Sequence, residues 1–228
     1  MIPMTRSEAI KYIWAIAYAV ILFILVRQFV ISALSLILLR FSGGGMERFT
    51  GNTTTVIVAV SFLCAIIPIY KQARELTVFA GSNIYKLLAL VPVCVALTIA
   101  LNSLITYIGL MDRYEEYAKA GTDRYAAALP IGLICYGLAA PIAEELLFRG
   151  VVYGYMKKLM RAGWAVALSA ALFGLYHMNM GQGIYAFVMG AVFAGLYERF
   201  GDFKVPVLMH IVANVTAYLM TYVSRYSV

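Results

Sequence analysis

The chain has 228 residues, 63% of them hydrophobic and only 13% charged, with a mean hydropathy of +0.86 and a formal net charge of +7. Soluble domains run nearer ~45–50% apolar and ~25% charged. The composition therefore excludes a soluble globular domain and a disordered chain, and it describes a polytopic membrane protein.

A membrane helix needs roughly 20 mostly apolar residues to cross a ~30 Å hydrocarbon core. Seven stretches are candidates: 12–39, 53–70, 85–110, 125–155, 163–178, 183–197 and 205–224. The fifth and sixth are short for a full span. As a single helix the first would be ~42 Å long at ~1.5 Å per residue. Arg27 and Gln28 interrupt it, so it is expected either to tilt with Arg27 snorkelling or to form two elements. Arg6 and Lys11 before the apolar run resemble a signal sequence, but no small-residue cleavage site follows, which suits an uncleaved anchor. The linkers are short and punctuated by glycine or charge: SGGGMERFTGN, KQAREL, MDRYEEYAKAGTDR, MKKLMRAG, NMGQG and ERFGDFK. None could form a soluble domain.

Orientation follows from where the lysines and arginines fall. With the N-terminus in the cytoplasm, ten of the 18 basic residues lie on the cytoplasmic side and six on the other. The remaining two, Arg27 and Arg149, lie within spans. The basic MKKLMRAG linker faces the cytoplasm and the acidic MDRYEEY linker faces out. The positive charge is then a topology signal with some attraction to anionic membrane lipids, and it calls for no nucleic acid. Cys64, Cys94 and Cys135 are odd in number, lie in apolar spans and form no CxxC pair, as expected of small buried hydrophobes.

The fourth span holds the stretch PIAEELLFRG, residues 141–150. Ionisable groups inside a membrane are costly, and they face a partner or a cavity. Glu145 and Arg149 are four residues apart and share a helical face, acid before base. Glu144 points roughly 100° away. A structural charge cluster accounts for the first two and leaves Glu144 without a partner. Pro141 removes a helical hydrogen bond, which frees the Gly137 carbonyl and kinks the helix. The kink could border a water-filled cavity or serve packing alone.

The chain has two histidines, His177 and His210, both in apolar helices. Phe173 precedes His177 by four residues, so its ring can wall the imidazole. Asn214 follows His210 by four and shares its face. A histidine in a membrane helix can be a satisfied interhelical contact. Here two of them accompany an unpartnered glutamate, which suggests one site. A carboxylate in a dry cavity is an effective general base toward water. An imidazole can hold that water, and a second histidine with an amide can donate to an oxyanion. That is equipment for amide hydrolysis. A zinc HExxH motif is absent, Asp112, Asp123 and Asp202 all fall in linkers rather than forming an aspartyl dyad, and no serine lies in a GxS context within a span.

Glu144-Glu145-x-x-x-Arg149, Phe173-x-x-x-His177 and His210-x-x-x-Asn214, in that order, resemble the three motifs of the CPBP family. This family comprises type II CAAX prenyl endopeptidases with bacteriocin-processing and immunity (Abi) relatives. The resemblance covers about 129–218. It implies an all-α polytopic bundle of about seven to eight spans around a polar cavity, with N-terminal helices over 1–124 and a catalytic core over 125–228 in one integrated membrane domain. It implies an intramembrane endopeptidase in which Glu144 and His177 activate water, His210 and Asn214 form the oxyanion hole, and Glu145, Arg149 and Phe173 support them. No cofactor is expected; the alternative is a divalent metal such as zinc held by Glu144, His177 and His210. The expected substrate is a membrane-embedded or lipidated protein or peptide. The expected location is a bacterial or archaeal plasma membrane, multi-pass, with the N-terminus cytoplasmic. A proton-coupled transporter and a catalytically inactive immunity or scaffold protein are the alternatives. His210 lies only a few residues into its helix. For the site to close, either the FGDFKVP segment must dip into the membrane or the cavity must open to the cytoplasm, as it does in eukaryotic members.

Overall fold

The computed structural model describes residues 5–42, 51–110 and 127–226. Most of SGGGMERFTGN and all of MDRYEEYAKAGTDR lie outside the described residues, and with them Asp112 and Asp123. Among the described residues seven helices follow one another: α1 (Arg6–Ser42), α2 (Gly51–Leu76), α3 (Ile84–Tyr107), α4 (Leu129–Leu159), α5 (Ala162–Tyr176), α6 (Met180–Phe200) and α7 (Lys204–Tyr226). All except α5 are long and apolar enough to cross a membrane. The protein is an all-α integral membrane bundle.

The first segment is one continuous helix of 37 residues, ~55 Å long. Arg27 does not break it and does not reach for the interface. Its guanidinium lies 3.7 Å over the Phe62 ring of α2 and donates from Nη1 to the Tyr176 hydroxyl of α5.

Local chemistry sets the helix ends. Asn83 and Asn179 are side-chain N-caps, accepting from the N–H groups of Tyr85 (2.8 Å) and Gln182 (3.0 Å). Gly201 closes α6 in the left-handed conformation, φ 62°. The 15 residues of α5 span only ~22 Å, so the chain turns back before it could cross a full hydrocarbon core. That short helix ends at His177. Helices α5 and α6 pack closely because they meet at glycines: a Cβ on Gly174 would lie 2.7 Å from the Gly183 carbonyl oxygen.

One end of the bundle is tied by hydrogen bonds. Asp202, in the α6–α7 turn, accepts from the N–H groups of Ser82 (2.7 Å) and Lys204 (3.0 Å). Phe203 N–H donates to the Val78 carbonyl at 2.8 Å, and Val78 N–H donates to the Tyr197 hydroxyl at 2.9 Å. Asp202 and Phe203 are buried, so α7 begins inside the protein against the 77–83 linker. The inset turn is thus one of the two arrangements that could bring His210 level with the fourth span. At the same end Glu198 pairs with Lys157 and accepts from the Tyr153 hydroxyl. The main apolar core draws on α1, α2, α4, α5 and α6, with Phe23, Ile69, Leu147, Phe148 and Phe173 among its buried side chains.

Candidate active site

Helix α4 carries the glutamates on a short α-helical stretch, Ala140–Glu145, between two π-helical stretches, Leu133–Ala139 and Leu146–Tyr153. A π-turn admits an extra residue and shifts the hydrogen-bond register, and such turns recur at functional sites. The Ala140 N–H bonds to the Cys135 carbonyl five residues back. In that register the next carbonyl, Tyr136, would receive the N–H that Pro141 lacks. It accepts instead from Asn214 Nδ2 at 3.0 Å. The proline thus matters through Tyr136, where an α-helical count points to Gly137, because the π-turn moved the pairing by one residue. The same bond fixes Asn214 against α4.

Glu145 is completely buried. Its Oε1 lies 3.0 Å from Arg149 Nη1, an ion pair rather than an aligned hydrogen bond, and 2.7 Å from His210 Nδ1. Arg149, also fully buried, donates from Nη2 to the Gly190 carbonyl at 3.0 Å. Its guanidinium carbon lies 4.7 Å from the Phe173 ring centroid. The Gly190 position has little room: a Cβ there would be 3.0 Å from Phe173 and 3.2 Å from Arg149 Nη2. Glycine on α6 therefore lets the guanidinium reach a backbone acceptor.

Glu144 is buried too, with 6% of its surface exposed. It is not isolated: His210 Nε2 lies 3.7 Å from its Oε2. That contact corrects the expectation of a partnerless Glu144, since the inset start of α7 sets His210 between the two glutamates. The imidazole is held flat by Phe193, stacked at 4.9 Å and 27°, with Phe173 edge-on at 5.6 Å. A carboxylate only accepts, so His210 Nδ1 donates to Glu145. Nε2 then faces Glu144.

His177 caps the end of α5. Its Nδ1 lies 2.8 Å from the Phe173 carbonyl, which can only accept, so Nδ1 carries the hydrogen and a neutral ring presents its lone pair at Nε2. Phe173 stands edge-on to it at 4.9 Å. The next residue, Met178, has φ 54°, a left-handed conformation uncommon outside glycine, and it turns the chain sharply from α5 into α6.

Glu144, His177, His210 and Asn214 all line one cavity of about 1660 Å³. Beyond these residues, much of its wall comes from one half of the bundle. It takes Thr54 and Val58 from the start of α2, Ser103 and Thr106 from the end of α3, Tyr136 from the start of α4, and Thr221 and Ser224 from the end of α7. The cavity therefore extends away from the tied end, which carries MKKLMRAG. The inset α6–α7 turn fills that side with Phe203, Val205 and Asp202.

Among the described residues, no three His, Cys, Asp or Glu side chains gather closely enough to hold a metal ion. His210 Nδ1 is committed to Glu145, and Arg149 adds a cation beside that carboxylate.

Comparison with known proteins points to the same segment. Residues 126–216 match the family described as "Type II CAAX prenyl endopeptidase Rce1-like". The chain is also similar to a Bacillus subtilis protein described as "Putative membrane peptidase YdiL", at 28% identity over 119 residues. The aligned part is 52% of this chain and 48% of that protein, so the chain spans about half the length of the curated relative it matches. No solved structure gives a significant match. The resemblance to the CPBP family is thus carried by the helices that hold Glu144, Glu145, Arg149, His177, His210 and Asn214.

Proposed function

We propose that the protein is an intramembrane endopeptidase that hydrolyses a peptide bond of a membrane-embedded or lipidated protein, using a water activated by Glu144. The observation that carries this reading is the contrast between two adjacent glutamates. Glu145 is locked to Arg149 and His210, whereas Glu144 faces the cavity. The similarity to CAAX prenyl endopeptidases and to a membrane peptidase supports the reaction class.

In the reacting state of this proposal Glu144 is ionised and both nitrogens of His210 carry hydrogen, so the cluster Glu144, Glu145, Arg149 and His210 carries no net charge. That balance suits a buried site, where an uncompensated charge is costly. Water between Glu144 and the His177 lone pair gives one proton to Glu144 as its oxygen attacks the scissile carbonyl carbon. The oxyanion accepts from His210 Nε2–H and from the second N–H of Asn214 Nδ2, whose first N–H is held by Tyr136. The carbon–nitrogen bond then breaks, and the leaving amine takes the proton from Glu144. No metal or cofactor takes part.

The basic residues of MKKLMRAG, with Lys71, Arg74, Lys86, Arg199 and Lys204, crowd the tied end, which supports a cytoplasmic position for it. The substrate then enters from the opposite half, on the non-cytoplasmic side. The test is a comparison of protein termini in native membranes carrying wild type or Glu144→Gln. Wild type should generate new termini that the variant lacks. Identical termini would reject the reading.

A further inference from the structure

We propose that Arg27 is an anchor for a carboxylate of the peptide substrate, set in the wall of the same cavity. The inference rests on the endopeptidase reading for the identity of the guest. The anchor itself comes from a difference between the two arginines inside the spans. Arg149 has Glu145 at 3.0 Å. Arg27 has no carboxylate within ion-pair distance among the described residues. Its guanidinium is supported by one face of Phe62 and by the Tyr176 hydroxyl, and its buried Nε has no hydrogen-bond partner. An aromatic face and one neutral hydroxyl stabilise a cation less than a carboxylate does.

Depth narrows the choice of anion. Phe62 is near the middle of α2, ~16 Å from its start, about halfway through a ~30 Å hydrocarbon core. Lipid phosphates stay outside that core. An anion that meets Arg27 must arrive on something that enters the cavity, and an unmodified peptide carries negative charge only on carboxylates. The anchor is also near the reacting groups. Arg27 Cζ lies 6.0 Å from the Tyr176 ring, which lies 5.5 Å from the His177 ring. The two sites are therefore no farther apart than three to four extended residues at ~3.3–3.6 Å each. A carboxylate held there would fix the register in which the scissile bond meets Glu144. It could be the C-terminus or an acidic side chain.

The test uses the purified full-length protein with Glu144→Gln, so that peptides bind without turnover. Two pools of random octapeptides, one with free C-terminal acids and one amidated, are equilibrated with it, and retained peptides are counted by mass spectrometry. The expected result is about tenfold or greater preference for one carboxylate source. A C-terminal anchor favours the acid pool. A side-chain anchor favours Asp- and Glu-containing members of both pools over their Asn and Gln counterparts. Adding Arg27→Gln should abolish the preference, and Arg27→Lys should keep part of it. Equal retention, no retention, a preference that survives Arg27→Gln, or Arg27-dependent co-purification of a phospholipid would each overturn the anchor. The acid–amide comparison needs no Arg27 variant, so a misfolded one leaves the proposal open to refutation. Wild-type cleavage of the pools without carboxylate preference would sink the anchor and leave hydrolysis standing. Arg27-dependent, carboxylate-selective retention without cleavage would do the reverse.

Discussion

The two ends of the bundle solve opposite problems with similar residues. At the end where α4 meets α5, polar groups are spent on one another. Asp202 takes the N–H groups of Ser82 and Lys204, Tyr197 takes that of Val78, and Glu198 takes Lys157 and Tyr153. Toward the other end, from about mid-depth, Arg27, Glu144 and His177 line a large cavity. Burial alone therefore does not mark a functional residue: Asp202 and Glu145 are more deeply buried than Glu144. The distinction is whether a group's partners use up its chemistry.

The boundary between the ends is the Glu145–Arg149–His210 cluster, and breaking it should have the largest effect. Glu145→Gln leaves Arg149 buried without its counter-charge, at a cost of about 3–5 kcal/mol. Lower folded yield and a clearly reduced melting temperature in detergent are expected. An unchanged melting temperature would show that the cluster is not the support described here.

Loosening the tied end should cost less. Asp202→Ala removes a buried carboxylate that accepts from two part-buried N–H groups, with an expected loss of about 1.5–3 kcal/mol in thermal or denaturant unfolding. Burial pushes the Asp202 carboxyl up, but the N–H groups of Ser82 and Lys204, the Ser82 hydroxyl and the Lys204 charge together hold it below its ordinary value. Its contribution is then complete above the unfolded carboxyl value of ~3.9 and fades as pH falls below that. The gap between wild type and Asp202→Ala should be constant from pH 5 to 8 and shrink only under about pH 4. A gap that shrinks near neutrality would contradict the clasp.

The smallest perturbation tests which end faces which compartment. In a variant lacking Cys64, Cys94 and Cys135, a cysteine at Thr221 in the cavity wall should react with an impermeant thiol reagent applied outside intact cells. One at Lys158 should not. The reverse pattern would invert the proposed orientation.

Much of this arrangement is legible in the sequence. Apolar runs located the seven helices of the described residues, and for the six long ones span length is set by the bilayer and leaves little latitude. The four-residue spacing placed Glu145 beside Arg149, because an (i, i+4) pair depends on one helix alone. Relations between helices were not legible. Nothing in HIVAN says that His210 reaches both glutamates, because that depends on the turn at Asp202 and Phe203. The π-turns of α4 were missed for the same reason. Pro141 signals a lost hydrogen bond, but the register that determines which carbonyl is freed is fixed by packing against α7. Arg27 was visible as an interruption in an apolar run. Its inward direction needed Phe62 and Tyr176 from distant segments.

The most direct measurement of the central claim is the behaviour of Glu144→Gln, purified beside wild type in the same detergent, in melting and in cleavage of a random peptide pool. Expected are a smaller loss of melting temperature than in Glu145→Gln, since the Glu145–Arg149–His210 contacts remain, and cleavage reduced by at least ~10²-fold, the lower end of what a positioned general base contributes. Cleavage at the wild-type rate, or unfolding of Glu144→Gln while Glu145→Gln stays intact, would contradict that claim.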